Sequence, residues 1–269
     1  MGSIHLKHDY FYPSLFTLLA TPYFPMHSNK THILPGDSVR GGYSNWILSG
    51  FLALFWASIL SAVIITLSYR WVNPTPTWLM VERYFFTKST RKMPPKTIWM
   101  PLESISPHVI QAVVASEDNL FLTHRGFDLN AIKQAQEEIR KGKRFRGAST
   151  ITMQTAKNVF LWNKRSWARK AMEAGFTWLI ELLWGKYRIM EVYLNVIEMG
   201  AATYGVEAAS QAYLKRPASE VTRNQAAIMA TVLPNPLKRN LAKPSPFMLR
   251  DRQRILRNMQ NIGEVTLTR

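Results

Sequence analysis

The longest apolar run in the chain, Ile47 to Leu67, reads ILSGFLALFWASILSAVIITL, and no charged residue falls between Gly41 and Tyr69. At a helical rise of ~1.5 Å per residue the run reaches about 30 Å, the thickness of a bilayer hydrocarbon core. Trp46, Tyr69 and Trp71 border it as interfacial aromatics do, and Arg70 marks one edge. The pattern predicts a single transmembrane helix over residues 46–72. A cleaved signal peptide would be shorter and start earlier, and a buried core helix of this length would carry some charge. Lys30 and Arg40 on one side balance Arg70 and Arg83 on the other, so charge does not orient the span.

Beyond the span the apolar positions recur at helical spacing. Asn73-Pro74-Thr75-Pro76 begins a linker, taken as residues 73–96, in which Lys88 to Lys96 is basic and holds Pro94-Pro95. A short extended piece is expected over residues 97–104. Ser106 and Pro107 then open a helix whose apolar face is Val109, Ile110, Val113 and Val114. Further helices are predicted over 129–141, stopped by Gly142; from Ser149-Thr150 to about 161; from a Ser166 cap to 184; over 186–196; over 206–213; over 223–233, capped by Thr222; and from Ser245-Pro246 to Gly263. Strand signals are weak throughout. The expectation is a mainly α domain, residues 97–269, preceded by a tail (1–45), an anchor and a linker. The tail is aromatic and without period. His5 and His8 in it read as polar residues, not metal ligands.

Composition narrows the chemistry. The 269 residues include no cysteine, which excludes disulfides and thiolate metal sites. Net charge is +17, of which residues 1–72 contribute only +2. A basic domain beside a membrane suits acidic lipid or a phosphorylated substrate. No motif of a DNA- or RNA-binding fold is present, so nucleic acid is not expected as a partner.

Two segments concentrate reactive side chains. Glu117-Asp118-Asn119-Leu120-Phe121-Leu122-Thr123-His124-Arg125-Gly126-Phe127-Asp128 places three carboxylates, a His and an Arg within twelve residues. Gly147-Ala148-Ser149-Thr150-Ile151-Thr152-Met153-Gln154 is a hydroxyl-rich turn entering an apolar helix, after the basic stretch Lys141 to Arg146, read as a mobile loop. Carboxylates beside cations suit proton abstraction next to an anionic leaving group. Glu117, with Val113, Val114 and Phe121 nearby, is the candidate general base, because apolar surroundings raise a carboxyl toward a useful pKa. Asp118 would organise the turn or orient basic groups, and His124 and Asp128 would hold the loop. Ser149, Thr150 and Gln154 can donate to phosphate or sugar oxygens, and Ser149 or Thr150 can equally cap the helix. Lys157 shares the face of Gln154. Further on, Arg169 and Lys170 lie four and three residues before Glu173, a spacing that permits one shared face or a plain surface salt-bridge stripe.

Taken together, the two segments resemble the peptidoglycan glycosyltransferase family, whose pattern is E-D-x-x-F-x-x-H-x-G-x-D followed by G-x-S-T-I-x-Q-Q. Arg169-Lys170-Ala171-Met172-Glu173 resembles its R-K-x-x-E motif. Lys186 to Asn195 resembles K-x-x-I-x-E-x-Y-L-N, in which Glu191 and Asn195 are taken as structural. The likeness runs from about residue 97 to 263. Phe160-Leu161-Trp162 and Val232 to Pro236 resemble the monofunctional branch, whereas bifunctional relatives carry an added transpeptidase domain. Ser89-Thr90-Arg91-Lys92 fits S-x-x-K by spacing alone.

The resemblance implies a lysozyme-like α fold with a membrane-facing small lobe. It implies polymerisation of lipid II onto a growing glycan strand, with a β-1,4 bond formed and undecaprenyl pyrophosphate released. Glu117 would be the base. Glu173 would bind the donor's pyrophosphate region through a divalent cation, Mg²⁺ or Mn²⁺. Asp118, Ser149, Thr150, Gln154, Lys157, Arg165, Arg169 and Lys170 would contact substrate. Location at the inner membrane with the domain on the periplasmic side is implied too, as are contacts with other cell-wall proteins. One position departs: Met153 stands where the family usually has Gln, and a thioether cannot make an amide's hydrogen bonds. Two other readings stand beside synthesis: a lytic transglycosylase, which would need an acid for the glycosidic oxygen, and an inactive membrane-tethered scaffold.

Overall fold

The computed structural model describes residues 40–86, 93–142 and 147–269. The chain divides into two units, residues 1–53 and 54–269. The expected tail (residues 1–39 of it), the Ser89 to Lys92 tetrad and most of the basic loop before Gly147 lie outside the described residues.

Helix α1 is Arg40–Ser68. Its stretch Trp46–Ser68 is long and apolar enough to cross a membrane. The hydroxyls within it are satisfied by the helix itself: Ser58 donates to the Phe55 carbonyl (2.7 Å), Ser61 to Ser58 (2.8 Å) and Thr66 to Ala62 (2.7 Å). No polar group of these side chains is then left seeking water in an apolar medium.

The segment assigned to a linker is partly folded. Residues Trp78–Phe86 form α2, with Leu79 and Met80 buried. The prolines at 74 and 76 end one helix but do not prevent another beginning at Trp78, where apolar side chains reach the core. The expected extended piece at 97–104 shrinks to a two-residue strand, β1 (Lys96–Thr97), and a 3-10 turn, Leu102–Ser104.

Helix α3 spans Pro107–Glu117 and buries the four predicted apolar residues. Ser106 precedes it without capping it, because its hydroxyl donates to the Val221 carbonyl at 2.8 Å. The remaining helices follow the expected order: α4 (Leu129–Arg140), α5 (Ile151–Phe160), α6 (Trp167–Leu183), α7 (Lys186–Val196), α8 (Val206–Ala209), α9 (Arg223–Ala230) and α10 (Pro246–Ile262). Asp128, Thr150, Ser166, Thr222 and Ser245 accept from backbone N–H groups at the starts of α4, α5, α6, α9 and α10. Such caps are each worth ~1 kcal/mol. Helix α8 ends early and passes into a π-helical turn, Ser210–Leu214.

A sheet that the sequence did not announce closes one side. Strands β2 (Glu198–Gly200) and β3 (Thr203–Tyr204) pair antiparallel across a bulge, and β1 pairs parallel to β3. Gly205 must be glycine: its φ is +80°, and a Cβ there would lie 2.7 Å from the Asn195 carbonyl oxygen. Asn195 and Glu191 are structural, as expected. Asn195 accepts from the Met100 N–H (2.7 Å) and donates to the Met100 carbonyl (2.8 Å), and Glu191 accepts from the Leu102 N–H (3.3 Å).

In the core α3 packs on α9 and α10, and α5 lies between α6 and α7. Phe121, Ile151, Ile189, Val192, Tyr193 and Met229 are among its buried residues. Trp184 Nε1 donates to the Thr66 carbonyl (2.7 Å), Arg70 to the Leu183 carbonyl (3.0 Å), and Arg188 to the carbonyls of Tyr69 and Val72 and to Asn73 Oδ1. The last turn of α1 and the residues just after it are therefore bonded to the end of α6, to Trp184 and to the start of α7.

Candidate active site

Glu117 is the last residue of α3 and is half-buried. Gln154, one turn into α5, donates to Glu117 Oε2 at 2.9 Å, and its own Oε1 accepts from the Tyr193 hydroxyl at 3.1 Å. The line Tyr193–Gln154–Glu117 joins α7, α5 and α3. It also fixes the amide: an ionised carboxylate can only accept, so the Gln154 NH₂ faces Glu117 and its oxygen is left to accept from Tyr193. Burial raises the Glu117 carboxyl above its ordinary value. The Gln154 hydrogen bond and the charges of Arg254 and Arg239 oppose the rise, and Asp251 adds to it. Burial pushes the Tyr193 phenol well above its ordinary value, so it stays a donor.

Asp118 turns away from that line. Its carboxylate receives His124 Nε2 at 2.9 and 3.0 Å and the Ile151 N–H at 3.0 Å. It therefore clips the 118–126 loop to the start of α5, where exposed N–H groups favour an anion. Thr150 is buried. Its hydroxyl donates to the Gly126 carbonyl (2.6 Å) and accepts from the Met153 N–H (3.2 Å), so the donor expected to face substrate is already engaged. Ser149 is exposed on the turn before it. Gly126 is required here: φ is +85°, and a Cβ would meet Glu181 Cγ at 2.8 Å and Thr177 Cγ2 at 2.9 Å. The side chain of Met153, the residue that departs from the expected motif, is buried.

A second cluster gathers on α6 and the far end of α5. Glu173 is buried between two cations, Arg169 Nη1 and Lys170 Nζ, each 2.5 Å from one carboxylate oxygen. This is the shared face that spacing allowed, and its burial rules out a solvated stripe. The Lys157 ammonium makes no hydrogen bond or close ion pair among the described residues. Burial pulls its ammonium below its ordinary value, Glu173 and Glu198 oppose this, and Arg169 and Lys170 add to it. Arg165 is exposed just before α6. Helix α5 thus presents Gln154 to Glu117 and, one turn on, Lys157 to the Glu173 cluster.

The residues do not fit a metal held by the protein alone. Among the described residues no three His, Asp or Glu side chains converge, and both Glu173 oxygens are taken by cations. The chemistry of this cluster is that of a receptor for anions.

Several residues of the site were not evident in the sequence. Tyr193 read as core packing, and only the fold shows its hydroxyl. Asp251 and Arg254 pair on α10 at 2.8 Å and Arg239 approaches Asp251 at 3.9 Å, placing charges from the C-terminal part of the sequence where they act on Glu117. The three-residue spacing of Asp251 and Arg254 was a signal. Nothing marked Arg239.

A half-buried carboxylate on a helical scaffold, braced from α5, and the cation cluster around Glu173 together form a candidate enzyme site. Comparison with known proteins identifies the group. Residues 86–260 match the transglycosylase family model. Proteins named biosynthetic peptidoglycan transglycosylase from Shewanella oneidensis (44% identical; 82% of this chain, 93% of the relative), Bacteroides thetaiotaomicron (48%; 77% and 83%) and Bdellovibrio bacteriovorus (48%; 78% and 83%) are similar to it. The chain belongs to the transglycosylase family.

Proposed function

We propose that this protein is a membrane-anchored peptidoglycan glycosyltransferase that polymerises lipid II into β-1,4-linked glycan strands. The observation that carries the reading is the presence, on one helical scaffold, of the Gln154-braced carboxylate of Glu117 and the cation cluster at Glu173. Glycan cleavage needs no pyrophosphate site, whereas synthesis from a pyrophosphate donor does, so the cluster favours synthesis over a lytic enzyme. A scaffold would have no need of either group.

In this mechanism Glu117 takes the proton from the acceptor's 4-hydroxyl as that oxygen attacks C1 of the donor sugar. The bond from C1 to the pyrophosphate oxygen breaks, its electrons leave with undecaprenyl pyrophosphate, and the anomeric centre inverts. General-base assistance of this kind contributes typically ~10²–10⁴-fold. Gln154 holds the carboxylate in place and favours its ionised form. Lys157, Arg169, Lys170 and Arg165 stabilise the charge gathering on the leaving group. Glu173 sets the positions of Arg169 and Lys170 and limits their mutual repulsion. A divalent cation, where used, would arrive bound to the substrate's pyrophosphate. Asp118 and Thr150 shape the loop that Ser149 extends toward the substrate. Helix α1 keeps the site near a lipid-linked donor, and the nature of that donor places the domain on the periplasmic side of the inner membrane, beside other cell-wall proteins.

The test is incubation of the purified chain with labelled lipid II and separation of products by size, with Glu117→Gln alongside. Lysozyme-sensitive polymer from the wild type, lost in a folded Glu117→Gln variant, is the expected result. Cleavage of preformed glycan without polymerisation would overturn the reading.

A further inference from the structure

A cleft of about 570 Å³ lies beside the residues that leave the span, and none of the side chains placed above in the Glu117 or Glu173 groups lines it. Its walls include Arg70 and Trp71, which follow α1, together with Trp99, Tyr187, Arg188 and Arg269. Arg188 is fully committed. Its guanidinium donates to the Tyr69 and Val72 carbonyls, to Asn73 Oδ1 and to Glu191, and it stands over the Trp99 ring at 5.4 Å. Glu191, also in the wall, is balanced by that pairing. Glu103, the other carboxylate of the wall, accepts from the Tyr187 hydroxyl, a bond that favours its ionised form. Arg70 and Arg269 are exposed, and neither guanidinium has a carboxylate at ion-pair distance among the described residues. Arg70 uses one N–H on the Leu183 carbonyl (3.0 Å) and lies over the Trp71 ring at 5.5 Å. Arg269 lies over the Tyr187 ring at 5.8 Å. A guanidinium carries five N–H donors, so both have several to offer. Three guanidinium groups against two carboxylates leave the cleft one positive charge in excess.

We propose that this cleft binds one monoanionic glycerophospholipid, its phosphodiester held between Arg70 and Arg269. The inference rests on α1 lying in a bilayer and not on the reaction proposed above. Three observations choose the ligand. The cleft directly follows a helix long and apolar enough to cross a membrane, which is the level of lipid headgroups. Trp71, Trp99 and Tyr187 are amphipathic rings of the kind that settle at that level. Val72 and Leu182, next in sequence to Trp71 and to the Leu183 that holds Arg70, are exposed apolar side chains on which acyl chains can lie. The charge selects further. One excess positive charge suits a single phosphodiester, whereas a pyrophosphate would bring more negative charge up against Glu103 than the cleft can balance. A lipid held there would bridge the exit of the span to the start of α7 and reinforce the join that Arg188 makes.

The test needs no turnover. The full chain in mild detergent is titrated with phosphatidylglycerol and followed by native mass spectrometry, where one retained lipid per chain is expected. Arg70→Gln or Arg269→Gln should weaken retention about fivefold and the two together roughly thirtyfold, the scale of one and two arginine contacts with an anionic headgroup. Arg250→Gln with Arg257→Gln removes the same charge from exposed positions of α10 that do not line the cleft, and should leave retention unchanged. Arg70→Lys with Arg269→Lys keeps the charge and should hold the lipid better than the glutamine pair, which keeps the test open if that pair folds poorly. Phosphatidylcholine, neutral overall, and glycerophosphoglycerol, the same phosphodiester without acyl chains, should both compete weakly. An equal loss in the α10 pair, or equal binding of phosphatidylcholine, would mean general attraction to a basic domain and overturn the inference. Strong competition by glycerophosphoglycerol would make the cleft a site for a soluble phosphodiester, and displacement by undecaprenyl pyrophosphate that the same two substitutions weaken would give it to the substrate; either overturns it too.

Discussion

Replacing Gln154 by leucine removes the one hydrogen bond that holds the candidate base, while keeping side-chain size. In the wild type the Gln154 amide donates to Glu117 at 2.9 Å and accepts from Tyr193 at 3.1 Å. A hydrogen bond to a charged acceptor is worth ~1.5–3 kcal/mol. Because this bond favours the ionised carboxylate and burial favours the protonated one, its loss should shift the carboxylate–acid equilibrium about ten- to a hundredfold toward the acid. The base works only when ionised, so the acid limb of the kcat/KM profile must move to higher pH, and activity lost near neutrality should be regained in alkaline buffer. Stability should fall by ~1–3 kcal/mol, because the buried Tyr193 hydroxyl loses its acceptor. The assay is a pH–rate series on lipid II with thermal unfolding in parallel, and Tyr193→Phe as a milder control that leaves the Glu117 bond in place but frees the amide to rotate. An acid limb unmoved in Gln154→Leu would refute the claim that this amide tunes Glu117.

Glu117→Gln should abolish polymerisation and unfold no earlier than the wild type. Burial raises this carboxyl, so its favourable contribution is complete below the pH at which the unfolded chain titrates and is lost as pH rises through the folded value. An uncharged amide escapes that loss, and circular dichroism melts near neutrality check it. Glu173→Gln should leave Arg169, Lys170 and Lys157 without their shared counter-charge, cutting kcat/KM at least ~10²-fold, and near-normal turnover would remove Glu173 from the site. Gly126→Ala should destabilise the domain by ~1–3 kcal/mol, through a positive φ and contacts of 2.8 and 2.9 Å with α6, and a melt matching the wild type would contradict it.

The parts of this molecule that were legible in its sequence are those governed by local rules. Helices α4 to α7 start at Ser, Thr, Asp or Gly, end near Gly or an aromatic, and carry their apolar residues at helical spacing, so their bounds were readable to within a residue or two. Glu117, Glu173, Arg169 and Lys170 were found by motif, and the fold brings the last three into one ion-paired group. What escaped depends on partners distant in sequence. Residues 78–86 looked like a linker because prolines precede them and a basic run follows, and their helical state rests on burying Leu79 and Met80. Strands of two and three residues carry no period to detect. Thr150 could serve as a cap or as a substrate donor on sequence grounds, and only the bond to Gly126, twenty-four residues away, decides its present engagement.

The bonds from Arg188 and Trp184 to residues 66–73, and from Arg70 to the Leu183 carbonyl, have a consequence for how substrate is met. A tethered domain on a flexible linker explores a volume set by the linker's length, and its encounters scale with an effective concentration. Here the residues that leave the span, 66–73, are tied by hydrogen bonds to Leu183, Trp184 and Arg188 rather than left as a slack segment. A domain joined in this way to a bilayer span would meet a lipid-linked donor by two-dimensional diffusion within the leaflet. Growth of a strand would then require the polymer to slide past a stationary carboxylate, and lengthening the join by inserting glycines after Tyr69 would be expected to slow chain elongation more than single bond formation.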